Sequence, residues 1–257
     1  MKTIILAGGW GSRLGHISDA IPKPMVTIGN RPVIWHIMKI YSYYGINDFI
    51  IALGIKGDVI KDYFYNFESK NNDFTINLKS GNITYHDKKR GSDWRVTLVD
   101  TGQNTLKGAR IKRLDKYMTD KTNMVTYGDG LADVNINELV SYHKSHGKTI
   151  TITGVYPPAR FGELEEKNGR IISFQEKPQT SVGLINGGYM VFNRNLLDYL
   201  TTDENCDFEN NALERLVKEN EAMVYKHDGS WECMDHERDV NHLNSIWDSS
   251  NAFWKVW

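Results

Sequence analysis

The chain has 257 residues, with 31 Lys and Arg against 32 Asp and Glu for a net charge of −1, and it is 40% hydrophobic and 25% charged. That balance lacks the basic footprint of a nucleic-acid partner, and the length suits one large α/β domain with a sizeable core. The start of the chain, Met1 to Ala7, holds too few apolar side chains for a signal-peptide core, and no apolar run approaches the ~20 residues of a membrane span. The expected location is therefore the cytoplasm, with no membrane partner.

Ile4, Ile5 and Leu6 form a β-branched-rich run without polar alternation, the pattern of a strand buried on both faces of a mostly parallel sheet. Gly8, Gly9 and Gly11 follow at once, where missing Cβ atoms let backbone N–H donors approach an anion. Arg13 and Lys23 can reach the same place with a bidentate fork and a point charge. A P-loop is excluded because no Gly-Lys-Ser/Thr follows four residues after a glycine. A dinucleotide fingerprint read from Gly9 and Gly11 fails at Leu14, where Gly or Ala is required.

Pro32 and Val33 open a helix whose apolar residues recur at three and four residue spacing until Gly45, and Asp48 to Leu53 reads as a second buried strand. A helix over Lys56 to Phe67 follows, then residues 68 to 93 break the rhythm with a polar hairpin of Thr75–Leu78 and Ile83–His86, a lid or an assembly arm. Trp94 to Asp100 is a strand that runs into Thr101–Thr105, a second loop of glycine and small hydroxyls, and a helix to about Met118. Asn123 to Tyr127 is a strand delivering Gly128-Asp129-Gly130 at its carboxyl end. Asn135 and Glu138 give a capping-box-like helix start, and Thr149 to Tyr156 a further strand. From Pro157 the runs Gly162–Leu164, Arg170–Glu176 and Leu184–Phe192 suggest an antiparallel extension carrying a second binding surface. Short helices over Leu196–Leu200 and Ala212–Glu219, strands over Ala222–Tyr225 and Ser230–Met234, and a helix over Arg238–Asp248 complete the chain.

The fold expected is α/β: a Rossmann-like, mostly parallel sheet flanked by helices, with an inserted β-hairpin and that antiparallel extension. One domain spans residues 1–257, with halves over about 1–150 and about 151–257. Ligands belong at the carboxyl ends of the strands.

Asp129 and Asp235 each end a strand-like run, NMVTYGD and WECMD, from which both could enter one cleft. Asp also caps turns for local hydrogen bonding, but the glycines beside Asp129 leave room for a hydrated divalent ion and for phosphates. Lys177 in FQEKP, with Asn186 and Gly187 in chain order beside it, fits a sugar-phosphate pocket; as a lone lysine it would read as surface charge. Arg110 reads equally as a solvated helix charge. Cys206 and Cys233 lack metal-ligand spacing and read as free thiols. Trp247, Phe253, Trp254 and Trp257 mark either an interface or a folded-back core segment, with self-association expected through this tail or the hairpin.

LAGGWGSRL followed by PKPMV resembles the signature of the sugar nucleotidylyltransferases. WRVTLVDTGQNT, TYGDGLADV, RFGEL, SFQEKP, INGGYMVF and HDGSWECMDHERD extend the resemblance over nearly the whole chain, toward the glucose-1-phosphate cytidylyltransferase branch. The resemblance implies transfer of a cytidylyl group from CTP to a sugar 1-phosphate, with Mg²⁺, in a homo-oligomer; another triphosphate or acceptor is the alternative. It assigns Leu6, Ala7, Gly8, Gly9, Trp10, Gly11, Ser12, Arg13, Lys23, Thr105, Arg110 and Gly128 to the nucleotide, with Arg13 and Lys23 catalytic. It assigns Asp129 and Asp235 to the metal, and Lys177, Asn186 and Gly187 to the sugar phosphate. Cys233 departs from the proline usual before the second metal ligand. A glycosyltransferase would offer an Asp-x-Asp motif, which Gly128–Leu131 does not supply, and the full set of charged candidates argues against a non-catalytic nucleotide sensor.

Overall fold

Seven strands form one mixed sheet in the computed structural model, which describes residues 1–86, 93–157, 163–167, 169–175 and 183–257. In chain order they are β1 (Thr3–Ala7), β2 (Asp48–Leu53), β3 (Arg95–Asp100), β4 (Thr122–Tyr127), β5 (Ile150–Val155), β6 (Ile185–Asn193) and β7 (Ala222–His227). Their order across the sheet is β7-β5-β6-β4-β1-β2-β3. Pairing is parallel throughout except for β6, which runs antiparallel to β4 and to β5.

The continuous apolar runs have a simple cause. Ile5 and Ala7 of β1 point into one core and Ile4 and Leu6 into another, and in β2 Phe49, Ile51 and Leu53 oppose Ile50 and Ala52 in the same way. A strand buried on both faces has no polar side to alternate with. Helices α1 (Val33–Tyr43), α4 (Ile136–His146) and α5 (Glu237–Asp248) cover the first face; α3 (Lys107–Arg113) and the turns holding Leu196, Phe208 and Leu216 cover the second. Helix α2 (Gly57–Tyr65) packs beside the outer strands, with Ile60 fully buried. Helix α4 starts on the Asn135 side chain, which accepts the N–H groups of Asn137 and Glu138, and stops at Gly147 in the left-handed region. Among the described residues no helix is long and apolar enough to cross a membrane.

Three expectations change. Leu184–Phe192 does not belong to an antiparallel extension but lies in the middle of the main sheet as β6, leaving Glu163–Lys167 and Arg170–Gln175 as a separate two-stranded ribbon. The hairpin of Phe74–Ile76 and Ile83–Tyr85 pairs only with itself, so it does not enter the sheet order. The aromatic tail is a folded-back core segment: Trp254 is fully buried and donates from its indole Nε1 to His36 Nδ1 at 3.3 Å, while Trp247 stacks against it at 6.4 Å. Trp247, Phe253 and Trp257 stay half-buried around it.

Candidate active site

The reversed direction of β6 decides what meets at the site. Strands β1 to β4 end on one edge of the sheet, and because β6 runs the other way its first residues, Asn186-Gly187-Gly188, come to that same edge. A register shift between Ile152 and Gly154 of β5 seats Asn186 opposite Gly154.

At the end of β1, Gly8 is buried, Gly9 is exposed, Trp10 is 61% exposed, and Gly11 turns the chain at φ 66° into a single 3₁₀ turn, Ser12–Leu14. The Lys23–Met25 turn then crosses back over the strand ends. Pro24 packs against Gly128, where an added Cβ would sit 2.7 Å from Pro24 Cγ and 3.0 Å from the Leu6 carbonyl oxygen. That contact seats Lys23 over Asp129, which is the next residue. Lys23 Nζ lies 2.6 Å from Asp129 Oδ2 and 2.5 Å from Asp235 Oδ1, and Arg13 Nη1 lies 2.8 Å from Asp235 Oδ2.

Asp129 and Asp235 thus share one cleft with both cations. Their carrier is a small ribbon in which Gly130–Ala132 pairs antiparallel with Trp231–Cys233, and the Met234 N–H donates to the Asp129 carbonyl at 2.9 Å. Burial alone would lower the Lys23 pKa, but the Asp129 charge and hydrogen bonds to both carboxylates outweigh it and raise it. For Asp235 burial pushes upward, yet the hydrogen bond and charge of Lys23 and the charge of Arg13 hold its carboxyl below the usual range. Two cations and two carboxylates neutralise one another in the resting site.

The second loop is wired to the first by Arg110. Only 4% exposed, its guanidinium donates to the carbonyls of Gly8 at 2.9 Å, Leu53 at 3.0 Å, Gly102 at 2.7 Å and Gln103 at 3.1 Å, and to Thr101 Oγ1 at 2.8 Å. It is therefore not a solvated helix charge. Gly8 must be glycine because a Cβ there would lie 2.3 Å from Arg110 Cζ. Thr105 is also buried, with its hydroxyl accepting from Arg113 Nη1 at 2.9 Å. On the other side, Asn186 Nδ2 donates to the Tyr127 hydroxyl at 3.0 Å, and the Gly187 carbonyl accepts the Trp231 indole N–H at 2.8 Å. Lys177 lies outside the described residues.

A family model described as nucleotidyl transferase matches residues 2–255. The chain belongs to the nucleotidyl transferase family. It is 44% identical over 258 residues to the glucose-1-phosphate cytidylyltransferases of Salmonella typhimurium and Salmonella typhi, covering 100% of both chains in each case. Among solved structures, a UDP-glucose pyrophosphorylase complexed with UDP-glucose shares the fold at a TM-score of 0.69, with 17% identity over 97% of this chain and 98% of that one.

In this nucleotidyl transferase Asp129, Asp235 and Cys233 could hold a divalent ion, their ligand atoms lying within 4.8 Å of one another. The two carboxylates suit a hard cation, which takes oxygen. The Cys233 thiol does not: burial and the Asp129 charge push its pKa upward, so sulfur stays protonated beside the pair. Sequence reasoning missed Asp239. Its Oδ2 accepts the backbone N–H groups of Asp235 at 3.0 Å and His236 at 2.8 Å, pinning the loop that presents Asp235. The signal was the capping-box spacing from His236 to Asp239 at the start of α5.

Proposed function

We propose that this nucleotidyl transferase is a cytoplasmic, magnesium-dependent enzyme that moves a cytidylyl group from CTP to a sugar 1-phosphate, α-D-glucose 1-phosphate before others, releasing CDP-sugar and pyrophosphate. The observation that carries it is the cluster of Arg13, Lys23, Asp129 and Asp235 at the mouth of the glycine loop, at 2.5–2.8 Å separations. Full-length identity of 44% to enzymes named for that reaction supports the choice of CTP and glucose 1-phosphate.

The reaction needs an oxygen of the sugar phosphate to attack the α-phosphorus of the triphosphate, forming one P–O bond as the bond to pyrophosphate breaks. A phosphate monoester has a second pKa of about 6, so near neutral pH the nucleophile is already ionised and no general base is required. The work left is to bring two polyanions together and offset the charge growing on the leaving group. Lys23 and Arg13 supply mobile positive charge for the triphosphate, and the backbone N–H groups of the Gly8 to Gly11 loop would add donors to it. Gly128 leaves room for Pro24, which seats Lys23 beside Asp129. A magnesium ion held by Asp129 and Asp235 would neutralise phosphate charge there. Asn186 and Gly187 face the acceptor, and Lys177 is assigned its phosphate from the motif. The halves 1–150 and 151–257 then serve nucleotide and acceptor within one domain.

The hairpin exposes Phe74, Ile76, Leu78 and Ile83, at 42%, 43%, 87% and 46%. Apolar surface concentrated on one projecting arm fits an interface between copies of this chain. The reaction is tested by crossing the four ribonucleoside triphosphates with several sugar phosphates and scoring pyrophosphate. CTP with glucose 1-phosphate is expected to lead; pyrophosphate from another pair alone would redirect the substrate choice, and none from any pair would defeat the proposal.

A further inference from the structure

Tyr127 is the last residue of β4, just before Gly128-Asp129, and its ring lies against Gly188 near the start of β6. Gly188 has φ +85°, and a Cβ there would sit 2.9 Å from the ring's Cδ2. The Tyr127 hydroxyl has two partners: it donates to Glu209 Oε1 at 2.6 Å and accepts from Asn186 Nδ2 at 3.0 Å. Glu209 belongs to the Phe208–Leu213 turn, and its carboxylate also takes an ion pair from Lys107, the first residue of α3. The Lys107 ammonium lies 5.0 Å from the centre of the Tyr127 ring.

The direction of this chain of bonds is fixed at its far end. An ionised carboxylate only accepts, so the single phenol proton must point at Glu209. Burial, together with the Glu209 charge, pushes the Tyr127 pKa well up, which keeps that proton in place. The phenol oxygen is then left to accept, and only the amide NH₂ of Asn186 can give to it. Independently, the Gly188 N–H donates to Asn186 Oδ1 at 2.9 Å. A side-chain amide has two ends of nearly the same shape, and both contacts select one of its two orientations.

We propose that Lys107, Glu209 and Tyr127 are positioning residues that lock the Asn186 amide with its second N–H turned toward the sugar 1-phosphate. This rests on the reading that Asn186 faces the acceptor. Without the relay the Gly188 N–H alone holds the amide's orientation, and the second N–H is less firmly kept toward the sugar 1-phosphate. The relay starts at α3, directly after the nucleotide-side loop, and ends at Asn186 near the start of β6, yet it touches neither the cations nor the carboxylates of the reaction centre.

A double-mutant cycle separates positioning from structure. Tyr127→Phe is expected to raise KM for glucose 1-phosphate roughly five- to tenfold, the loss of one neutral hydrogen bond, with KM for CTP and kcat within about twofold. In an Asn186→Ala background the same change is expected to add nothing. Glu209→Ala, which keeps the ring that supports Gly188, is expected to give the same split and covers the case in which Tyr127→Phe folds poorly. Equal effects in both backgrounds, or parallel loss of CTP binding, would overturn the relay. If Asn186→Ala raises KM for the sugar phosphate and Tyr127→Phe does not, the relay alone falls; if Asn186→Ala changes nothing, the acceptor-site reading falls with it.

Discussion

Lys23 Nζ lies 2.6 Å from Asp129 Oδ2, and the same ammonium reaches Asp235 at 2.5 Å, so one side chain spans both strand-tip carboxylates. A lysine in that position would compete with a divalent ion for the two carboxylates. Lys23→Ala is therefore expected to lower turnover by roughly two to three orders of magnitude, comparable to removing a preorganised oxyanion donor. In the same variant Mg²⁺ is expected to bind more tightly in the absence of nucleotide. Pyrophosphate release and calorimetric titration measure the two effects, and near-normal turnover would remove Lys23 from the mechanism.

Gly54 reaches the nucleotide loop from the end of β2. A Cβ added there would stand 2.5 Å from the Gly8 carbonyl oxygen and 2.7 Å from Gly8 Cα, both backbone atoms that cannot swing aside. Gly54→Ala is expected to destabilise the fold by about 1–3 kcal/mol, the usual cost of overpacking, and to raise KM for CTP by displacing Gly8. Denaturant unfolding and initial rates check this; unchanged nucleotide kinetics would break the link between Gly54 and the loop.

His36 is fully buried, its Nε2 at 3.0 Å from the Ile28 carbonyl and its Nδ1 accepting from Trp254. That pattern suits the neutral ring, since a proton on Nδ1 would face the indole N–H. Burial pulls its pKa from 6.5 down to about 4. Above the upper value neither state carries the proton; as pH falls, the unfolded chain takes it first, and stability declines until the folded pKa is reached. Between about pH 6.5 and about pH 4 this group is expected to withdraw roughly 3 kcal/mol. Unfolding curves across that range measure the slope, which His36→Leu should flatten by that amount.

Trp254 fills the space between α1 and α5 with no exposure at all. Trp254→Ala is expected to cost about 3–5 kcal/mol, as large aromatic truncations do, while leaving the association state of the folded fraction unchanged. Thermal unfolding and sedimentation distinguish this from a tail that joins subunits.

Association is expected to depend on the hairpin instead. Leu78, 87% exposed, can become Glu without disturbing any packed neighbour, and Leu78→Glu is expected to shift the sedimenting species toward monomer with turnover conditions held constant. A monomeric wild-type chain, or an unchanged oligomer in the variant, would count against the arm.

Much of the site could be read from the chain because its parts are local. Gly8, Gly9, Gly11, Arg13 and Lys23 fall within one short stretch, and Asp129 and Asp235 each end a strand-like run. What stayed hidden depends on pairing across distance. The residues INGGYMVF read the same whether they edge an extension or run reversed between β4 and β5, since partner and direction are not written in a strand's own alternation. Arg110 carries no local sign of burial: its five acceptors come from Gly8, Leu53 and the loop after β3, brought together only by the parallel crossovers. The tail could not be assigned because aromatic residues serve cores and interfaces equally well.

The ribbon of Gly130–Ala132 and Trp231–Cys233 gives the two acidic side chains a common mounting, closed at its end by the bond from Met234 to Asp129. Their spacing is thus set within the ribbon and not by how the large sheet twists or breathes. A substitution elsewhere in the cleft can therefore reshape its walls while the jaw formed by Asp129 and Asp235 keeps its gauge.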